Sequence, residues 1–439
     1  MKKSCLILLA LGLFAVFSMP CFAADIKISG SYYAGGIYLN KTTLKQDTAT
    51  DGPATAFYYQ RLRVRTDYIV SPGLSVIMRF DALERAWGVT RSTPGTTLAT
   101  DSAGTIAENE NIAIDWAYID YKSPIGIFAF GFMNYGSTGT IFGNNTTSQG
   151  RIKYSYTIGP ATINAALSKV KDRSLTTVTP STSADSDNDV YHLEGVYNWK
   201  AGRAGLNINY YRSAENRPAL AYKSTYYLFT PYAIAKIGPV ALQAELNYAT
   251  GKFQEYDSNS GSSDVKLENI TGWIDATAAF GPVYVGGTFA YVSGDDPNTT
   301  DKKEGGTLTG GRDWSPTLII YNEDRSKWVG AITGNGTSSF GTAMENGFLY
   351  QLRVGVKPNS KLDIMTSITY ANADKKPAGY LYDKYGYELD LTANYKITNN
   401  LSYMIGGGYL WTGDYFKATS DANKVSNNYL VVNKLILTF

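Results

Sequence analysis

The sequence predicts an all-β fold: a transmembrane antiparallel up-and-down β-barrel of about eighteen strands, within a range of roughly sixteen to twenty. Three observations predict it. The chain opens with the signature of an export signal. It carries 35 Tyr against 17 Phe and 7 Trp, with 43 Gly, although only 44% of its residues are hydrophobic. From Asp25 onward, segments of two-residue period alternate with turns and polar connections, and no amphipathic stretch of helical period interrupts them.

The leader comes first. Lys2 and Lys3 form a basic start, Leu6 to Ser18 an apolar stretch, and Cys21-Phe22-Ala23 a small-x-small cleavage site before Ala24. Residues 1–23 are therefore expected to be a signal peptide and residues 24–439 the barrel. The apolar stretch is too short to span a bilayer as a helix, and no longer one follows. Lipid attachment at Cys21 is the competing reading, opposed by Pro20 where lipidation signals want Gly or Ala. Cys5 and Cys21, the only cysteines, both fall in the leader, leaving the barrel without a disulfide or a thiol nucleophile. Without Lys2 and Lys3, 38 basic residues of the original 40 face 38 acidic ones, a balance that argues against nucleic acid as a partner.

The tyrosines have a physical reading. Amphipathic rings settle at the two membrane interfaces while the lumen stays polar, so a barrel combines many tyrosines with modest hydropathy. A large soluble β-sandwich or β-helix is the alternative. Eight tight-turn signals punctuate the chain: Ser71-Pro72-Gly73, Ser123-Pro124-Ile125-Gly126, Gly159-Pro160, Ala201-Gly202-Arg203, Gly238-Pro239, Gly281-Pro282, Pro358-Asn359-Ser360 and Thr398-Asn399-Asn400. Eight periplasmic turns with both termini on the same side require about eighteen strands. Hydrocarbon offers no water to an unpaired edge, so the sheet must close.

Facing follows from parity. In Phe57 to Val70, Tyr58, Leu62, Val64 and Tyr68 share the lipid face while Arg61, Arg63, Arg65 and Asp67 share the other. Ile152, Tyr154, Tyr156 and Ile158 oppose Arg151, Lys153, Ser155 and Thr157; Leu389, Leu391, Ala393 and Tyr395 oppose Glu388, Asp390, Thr392, Asn394 and Lys396. Unpartnered arginines would cost several kcal/mol each in a dry core but stay hydrated in a water-filled lumen. The expected lining set is Arg61, Arg63, Arg65, Asp67, Arg79, Asp81, Asp115, Arg151, Lys153, Glu194, Glu245, Arg353, Glu388 and Asp390, with Asp363 on the same side.

The connection from about Asp295 to Asn346 is far longer than its neighbours and holds Leu318-Ile319-Ile320-Tyr321 between Trp314 and Trp328. A continuous apolar run implies burial on several sides, so two arrangements stand: a plug or lid in the barrel mouth, or an extra hairpin that raises the strand count to about twenty.

The chain ends Tyr429-Leu-Val-Val-Asn-Lys-Leu-Ile-Leu-Thr-Phe439, with Tyr429, Val431, Leu435, Leu437 and Phe439 on one face. This resembles the closing strand of bacterial outer-membrane proteins, whose final aromatic is part of the signal read by the barrel-assembly machinery. The layout as a whole resembles the Gram-negative porin superfamily. In porins the third outer loop folds inward, which makes Tyr135 to Asn145, with Tyr135, Asn144 and Asn145 as its marked residues, a candidate constriction; a plain surface loop is the alternative, because acidic residues are absent. Tyr387-Glu-Leu-Asp390, Leu401-Ser-Tyr-Met, Gly406-Gly-Gly-Tyr-Leu and Gly413-Asp-Tyr-Phe-Lys417 are similar to the last strands of the alginate-export type of eighteen-stranded barrel. The resemblance implies residence in the outer membrane among lipid and lipopolysaccharide, small hydrophilic solutes as cargo, and, in many relatives, a homotrimer.

Arginines facing acids across a narrow lumen would orient dipolar solutes and favour anions where they outnumber the acids; cross-strand ion pairs that stiffen the wall are the structural alternative. Asp185, Asp187 and Asp189 alternate in an outer loop, a spacing open to Ca²⁺, yet the further ligands of a calcium loop are missing, and no metal is expected. His192, the only histidine, lies beside Glu194 with no serine placed as a partner, so a lumen-lining role is expected in place of catalysis, and no cofactor motif is present. Gly35-Gly36 and Gly310-Gly311 read as strand bends and loop turns. A channel is the expected function. A non-conducting or gated structural or adhesive barrel and an export channel for an acidic polysaccharide compete with it, while a wall this wide is not filled by side chains alone.

Overall fold

The computed structural model describes residues 25–439 apart from 47–51, 89–111, 137, 173–185, 218–219, 259, 307, 309–312 and 342. The expected leader, Asp185 and Gly310-Gly311 lie outside the described residues. Eighteen long antiparallel strands close into one barrel. They are β1 (Asp25–Leu39), β2 (Thr55–Ser71), β3 (Leu74–Ala86), β4 (Ile112–Ser123), β5 (Gly126–Gly136), β6 (Asn145–Ile158), β7 (Ala161–Lys171), β8 (Asn188–Trp199) and β9 (Gly202–Ser213) in the first half. The second half begins with β10 (Tyr222–Ile237), β11 (Val240–Tyr256), β12 (Val265–Phe280) and β13 (Val283–Val292). It ends with β17 (Gly347–Asn359), β18 (Leu362–Asn372), β19 (Lys384–Lys396), β20 (Leu401–Thr412) and β21 (Asn428–Thr438). Between β13 and β17 lie the two-residue strands β14 (Lys302–Lys303), β15 (Ile332–Thr333) and β16 (Ser339–Phe340) and the helix α1 (Glu323–Val329).

Each of the eight punctuated turns joins two consecutive strands at one rim of the barrel. Gly73, Gly159, Gly238 and Gly281 take φ of 83°, 54°, 58° and 61°, the left-handed values that let so short a connection reverse the chain without a Cβ clash. Closure is made by β1 and β21, paired from Ser31↔Thr438 to Leu39↔Leu430. Gly30 N donates to Phe439 O at 2.8 Å and Phe439 N to Gly30 O at 3.0 Å, so the last residue completes the seam.

The outer face is apolar: Leu352 is 69% exposed, Ile158 63% and Leu391 57%, values a water-soluble surface does not sustain strand after strand. Exposed rings mark both rims. Tyr156, Tyr197, Trp199 and Tyr395 lie toward the turns, and Tyr58, Trp87, Tyr191, Tyr350, Tyr387 and Trp411 toward the loops. These two belts, set on either side of an aliphatic band, account for part of the tyrosine count, and inward rings such as Tyr59, Tyr232, Tyr321 and Tyr385 for another part.

The connection between β13 and β17 folds into the barrel and adds no membrane hairpin, so the alternative of twenty strands is corrected to eighteen. Its apolar run cannot be satisfied at a membrane rim and packs instead into the barrel: Ile319, Ile320, Ile332 and Trp328 show no exposure, Tyr321 is nearly buried and Leu318 partly so. Asn322 caps α1 by accepting from Arg325 N at 2.8 Å, with Glu323 and Asp324 in the first turn. Trp328 then stacks on the inward ring of Tyr59 at 4.4 Å. Gly35 leaves the space that Tyr59 fills, since a Cβ there would stand 2.8 Å from its ring.

Candidate functional site: the lumen wall and two inward loops

Strand parity places Arg61, Arg63, Arg65 and Asp67 of β2 on the lumen face, and register brings Arg79 and Asp81 of β3 opposite Arg65 and Arg63. Arg63 forms a two-pronged pair with Asp81, Nε–Oδ1 and Nη2–Oδ2 both 2.6 Å, and its Nη2 lies 3.4 Å from Asp115. Arg79 Nη2 meets Asp115 at 2.9 Å and its guanidinium stands 3.6 Å over the Trp116 ring. Arg65 pairs with Asp67 two residues on, at 2.7 Å, and Arg61 with Glu84 at 3.3 Å. On the opposite wall Arg353 reaches Asp275 through both Nη atoms at 2.7 Å. Most lumenal arginines are thus neutralised across neighbouring strands. Such forked pairs fix the side chains geometrically as well as electrically.

Two cations break the pattern. Arg151 on β6 donates Nη1 to the carbonyls of Asn134 and Tyr135 at 3.2 and 3.0 Å, while its Nε and Nη2 are buried without a hydrogen-bond partner. Lys153, two residues along, has no carboxylate in ion-pair reach among the described residues. Both line a cavity of about 360 Å³ with Arg65, Trp116, Asp120 and Glu194. Glu194 accepts from Asn164 at 2.8 Å and Tyr232 at 2.9 Å, and His192 Nδ1 meets Asn209 Oδ1 at 2.9 Å.

The loop after β5 turns inward. Thr140 donates through its amide and its hydroxyl to Glu245 of β11, both at 2.8 Å. A Cβ at Gly143 would come 2.2 Å from Glu245 Oε1 and one at Gly139 2.5 Å from Oε2, so only glycines admit the carboxylate here. Phe142 is fully buried, parallel to Trp273 at 5.5 Å and edge-on to Trp314 at 5.0 Å. Tyr135 donates to Tyr211 at 2.6 Å, and Asn144 hydrogen-bonds Asp313. Asn145 opens β6 opposite Gly136.

The longer insertion is clamped on the other wall. Glu388 of β19 accepts from three consecutive amides: Leu318 and Ile319 at 3.0 and 2.6 Å on Oε1, Ile320 at 2.8 Å on Oε2. Lys327 reaches Glu84 at 2.6 Å, and Asp324 pairs with Lys434 of β21. Inside the insertion, Arg325 donates to the carbonyls of Ile319, Gly330 and Phe340 at 3.1, 2.5 and 3.4 Å. Complete burial pushes this guanidinium down to about 10, against the opposing charge of Glu388.

The expected lining therefore divides. Arg63, Arg65, Asp67, Asp115, Lys153 and Arg353 keep some contact with open space; Glu388 and Asp390 face the lumen but are 0% and 2% exposed, and Glu245 is 4% exposed. These three carboxylates are covered by inward loops and do not meet open water, which corrects the parity reading for them. Parity tells which side a residue faces, not what stands in front of it. Glu84, Asp275, Lys327, Lys434 and Phe142 were missed; Asp275 was recoverable from its alternation with the outward Ile270 and Ile274. Asp187 and Asp189 are held by Lys169 at 2.9 and 2.8 Å, so an ammonium occupies the place considered for Ca²⁺.

A closed barrel with an apolar belt and a charged lumen is the architecture of an integral outer-membrane barrel. No family model matches the sequence, and no curated protein matches it. Among solved structures it is similar to Pseudomonas aeruginosa OccK9 (OpdG), with TM-score 0.54 and 14% identity over 94% of this chain and 99% of that one. It is similar to OpdK of the same organism, solved with vanillate, at TM-score 0.52 and 12% identity over 94% and 99%. OccK2 (OpdF), also from P. aeruginosa, gives 0.51 and 13% over 94% and 97%. The likeness establishes a shared barrel fold.

Proposed function

We propose that this protein is an outer-membrane channel for passive diffusion of small hydrophilic solutes, with a modest preference for anions. The observation that carries the reading is the 360 Å³ cavity inside the closed wall, whose charged lining counts Arg65, Arg151 and Lys153 against Asp120 and Glu194. Arg65 is matched by Asp67, whereas Arg151 and Lys153 have no carboxylate in ion-pair reach among the described residues, so a passing anion meets two cations that no ion pair holds. The OpdK structure with vanillate, a small carboxylate, is in keeping with this reading. The protein would reach the membrane through the barrel-assembly machinery with Phe439 in its recognition signal, sit among lipid and lipopolysaccharide, and assemble as a homotrimer.

Single-channel recording of the refolded protein in a planar bilayer under a salt gradient tests it. Discrete steps with a reversal potential on the anion side are expected. A second reading, a gated barrel closed at rest, is favoured by the Glu388 and Asp324–Lys434 clamps that seat the insertion across the β21 seam. A bilayer silent with the intact chain and conducting after deletion of 313–341 would select it.

A further inference from the structure

A second cavity, of about 430 Å³, opens at the long-loop rim and shares no lining residue with the first. Its floor is Tyr321, Tyr385 and Tyr415, all nearly buried, and its rim carries Asp295, Lys303, Ser339 and Glu345. Most polar groups around it are already spent. Asp295 holds Lys303 at 2.6 Å and the amides of Glu304 and Gly305 at 2.8 and 3.1 Å. The Asn346 amide is used at both ends on Lys375, and Tyr385 donates to Asn346 O at 2.6 Å. Thr337 Oγ1 meets the Tyr380 hydroxyl at 3.1 Å, and Ser338 donates to Asn335 O at 2.6 Å.

Two groups are left over. Glu345 has no cation in ion-pair reach among the described residues, and the Tyr321 hydroxyl makes no hydrogen bond there although the residue is only 4% exposed. Tyr321 also holds φ 52° and Asn346 φ 47°, left-handed conformations that a bulky ring adopts only when its surroundings impose them. That backbone turn is what seats the phenol on the cavity floor. With Lys303 neutralised by Asp295, the lining carries one uncompensated negative charge, an unused phenol oxygen and the edges and faces of three rings. An anion would meet repulsion here. A ligand rich in donors and positively charged would satisfy the carboxylate and the phenol together and gain from the rings.

The geometry points to this cavity as a binding site for a small primary ammonium compound, seated on Tyr321, Tyr385 and Tyr415 with Glu345 as its counter-ion. The test uses the full mature chain folded in detergent, where binding is read without any requirement for conduction, so a silent bilayer does not touch it. Butylammonium, its neutral isostere butanol, and butyrate are titrated by saturation-transfer NMR against the parent, Glu345→Gln and Tyr321→Phe, with folding checked by heat-modifiable electrophoretic mobility. Butylammonium is expected to bind the parent, about fivefold more weakly to Glu345→Gln because the carboxylate is solvent-screened, and about threefold more weakly to Tyr321→Phe. Equal binding of butylammonium to parent and Glu345→Gln, equal binding of butanol and butylammonium to the parent, or tighter binding of butyrate would each overturn the assignment.

Discussion

Replacing Glu388 with glutamine removes one negative charge and almost no volume, and it strikes the contact on which the inward segment hangs. The carboxylate receives three consecutive amides, two on Oε1 and one on Oε2. A glutamine that keeps its oxygen toward Leu318 and Ile319 turns its own N–H₂ toward the Ile320 amide. One bond is lost, donor faces donor, and the remaining two bonds lose their charge assistance. With about 1.5–3 kcal/mol for each hydrogen bond to a charged group and about 1 kcal/mol for a neutral one, the docked state loses about 3 kcal/mol, or about 150-fold in population. Part of the loss is offset because Asp390, whose Oδ1 is buried without a partner, no longer stands beside a second carboxylate. Seam closure and wall register lie elsewhere, so the barrel should still fold and shift on heating in electrophoresis. Two readouts apply: single-channel recordings should show larger and noisier conductance, and protease added from the loop side should cut within 313–341. Parent-like current and parent-like cleavage in Glu388→Gln would refute the clamp.

Selectivity should reside in the unpaired cations. Arg151→Gln with Lys153→Gln removes the two cations of the cavity lining that no ion pair holds, so the reversal potential should move to the cation side; Arg61→Ala, Arg63→Ala and Arg65→Ala together should move it less, because those guanidiniums are matched by acids, while lowering thermal stability by about 3–5 kcal/mol as Asp81 loses its partners. Gly143→Val would push a Cβ to 2.2 Å from Glu245, displacing the inward loop and its two Thr140 bonds, and conductance should rise; an unchanged conductance histogram would refute the anchor. At the rim, burial raises the Asp295 carboxyl, but Lys303 and the Glu304 and Gly305 amides outweigh it and hold it below the ordinary range. A depressed folded value means its stabilisation is complete above about pH 4 and fades as pH falls through that lower value. Hydrogen-exchange protection of the Glu304 and Gly305 amides should drop in step, and flat protection down to the acid limit would refute the assignment.

The wall was legible because two solvents write on it. Lipid on one face and water on the other impose a two-residue period that survives single exceptions, and the turns between strands demand Gly, Pro or Asn at fixed places, as Gly159-Pro160 and Gly238-Pro239 do. Strand count and facing therefore followed without tertiary information. The filling was not legible in the same way. Leu318 to Tyr321 betrays burial by its continuous apolarity, but nothing in that run names Glu388 as its holder. An inward glutamate that binds three amides and one that stands in water look identical along the chain. The loop after β5 lacks acidic residues because its carboxylate, Glu245, is supplied by the facing wall more than a hundred residues away in sequence.

The same distinction decides what the arginines do. A run of Arg61, Arg63 and Arg65 on one strand suggests a row of free charges, and a row of free charges would dominate ion selection. Register with β3 and β4 brings Asp81, Glu84 and Asp115 to meet it, so the row behaves as a lattice of ion pairs, rigid and close to neutral. Selection is left to groups that no register satisfies: Arg151 with two idle nitrogens, and Lys153 beside it. Calibre is left to the loops. Phe142 stands edge-on to Trp314, and Asn144 bonds Asp313, so the two inward segments touch each other as well as opposite walls. Release of either one, at Glu245 or at Glu388, is therefore expected to disturb the other, so Gly143→Val and Glu388→Gln should each expose both segments to protease; cleavage confined to the released segment would refute the link.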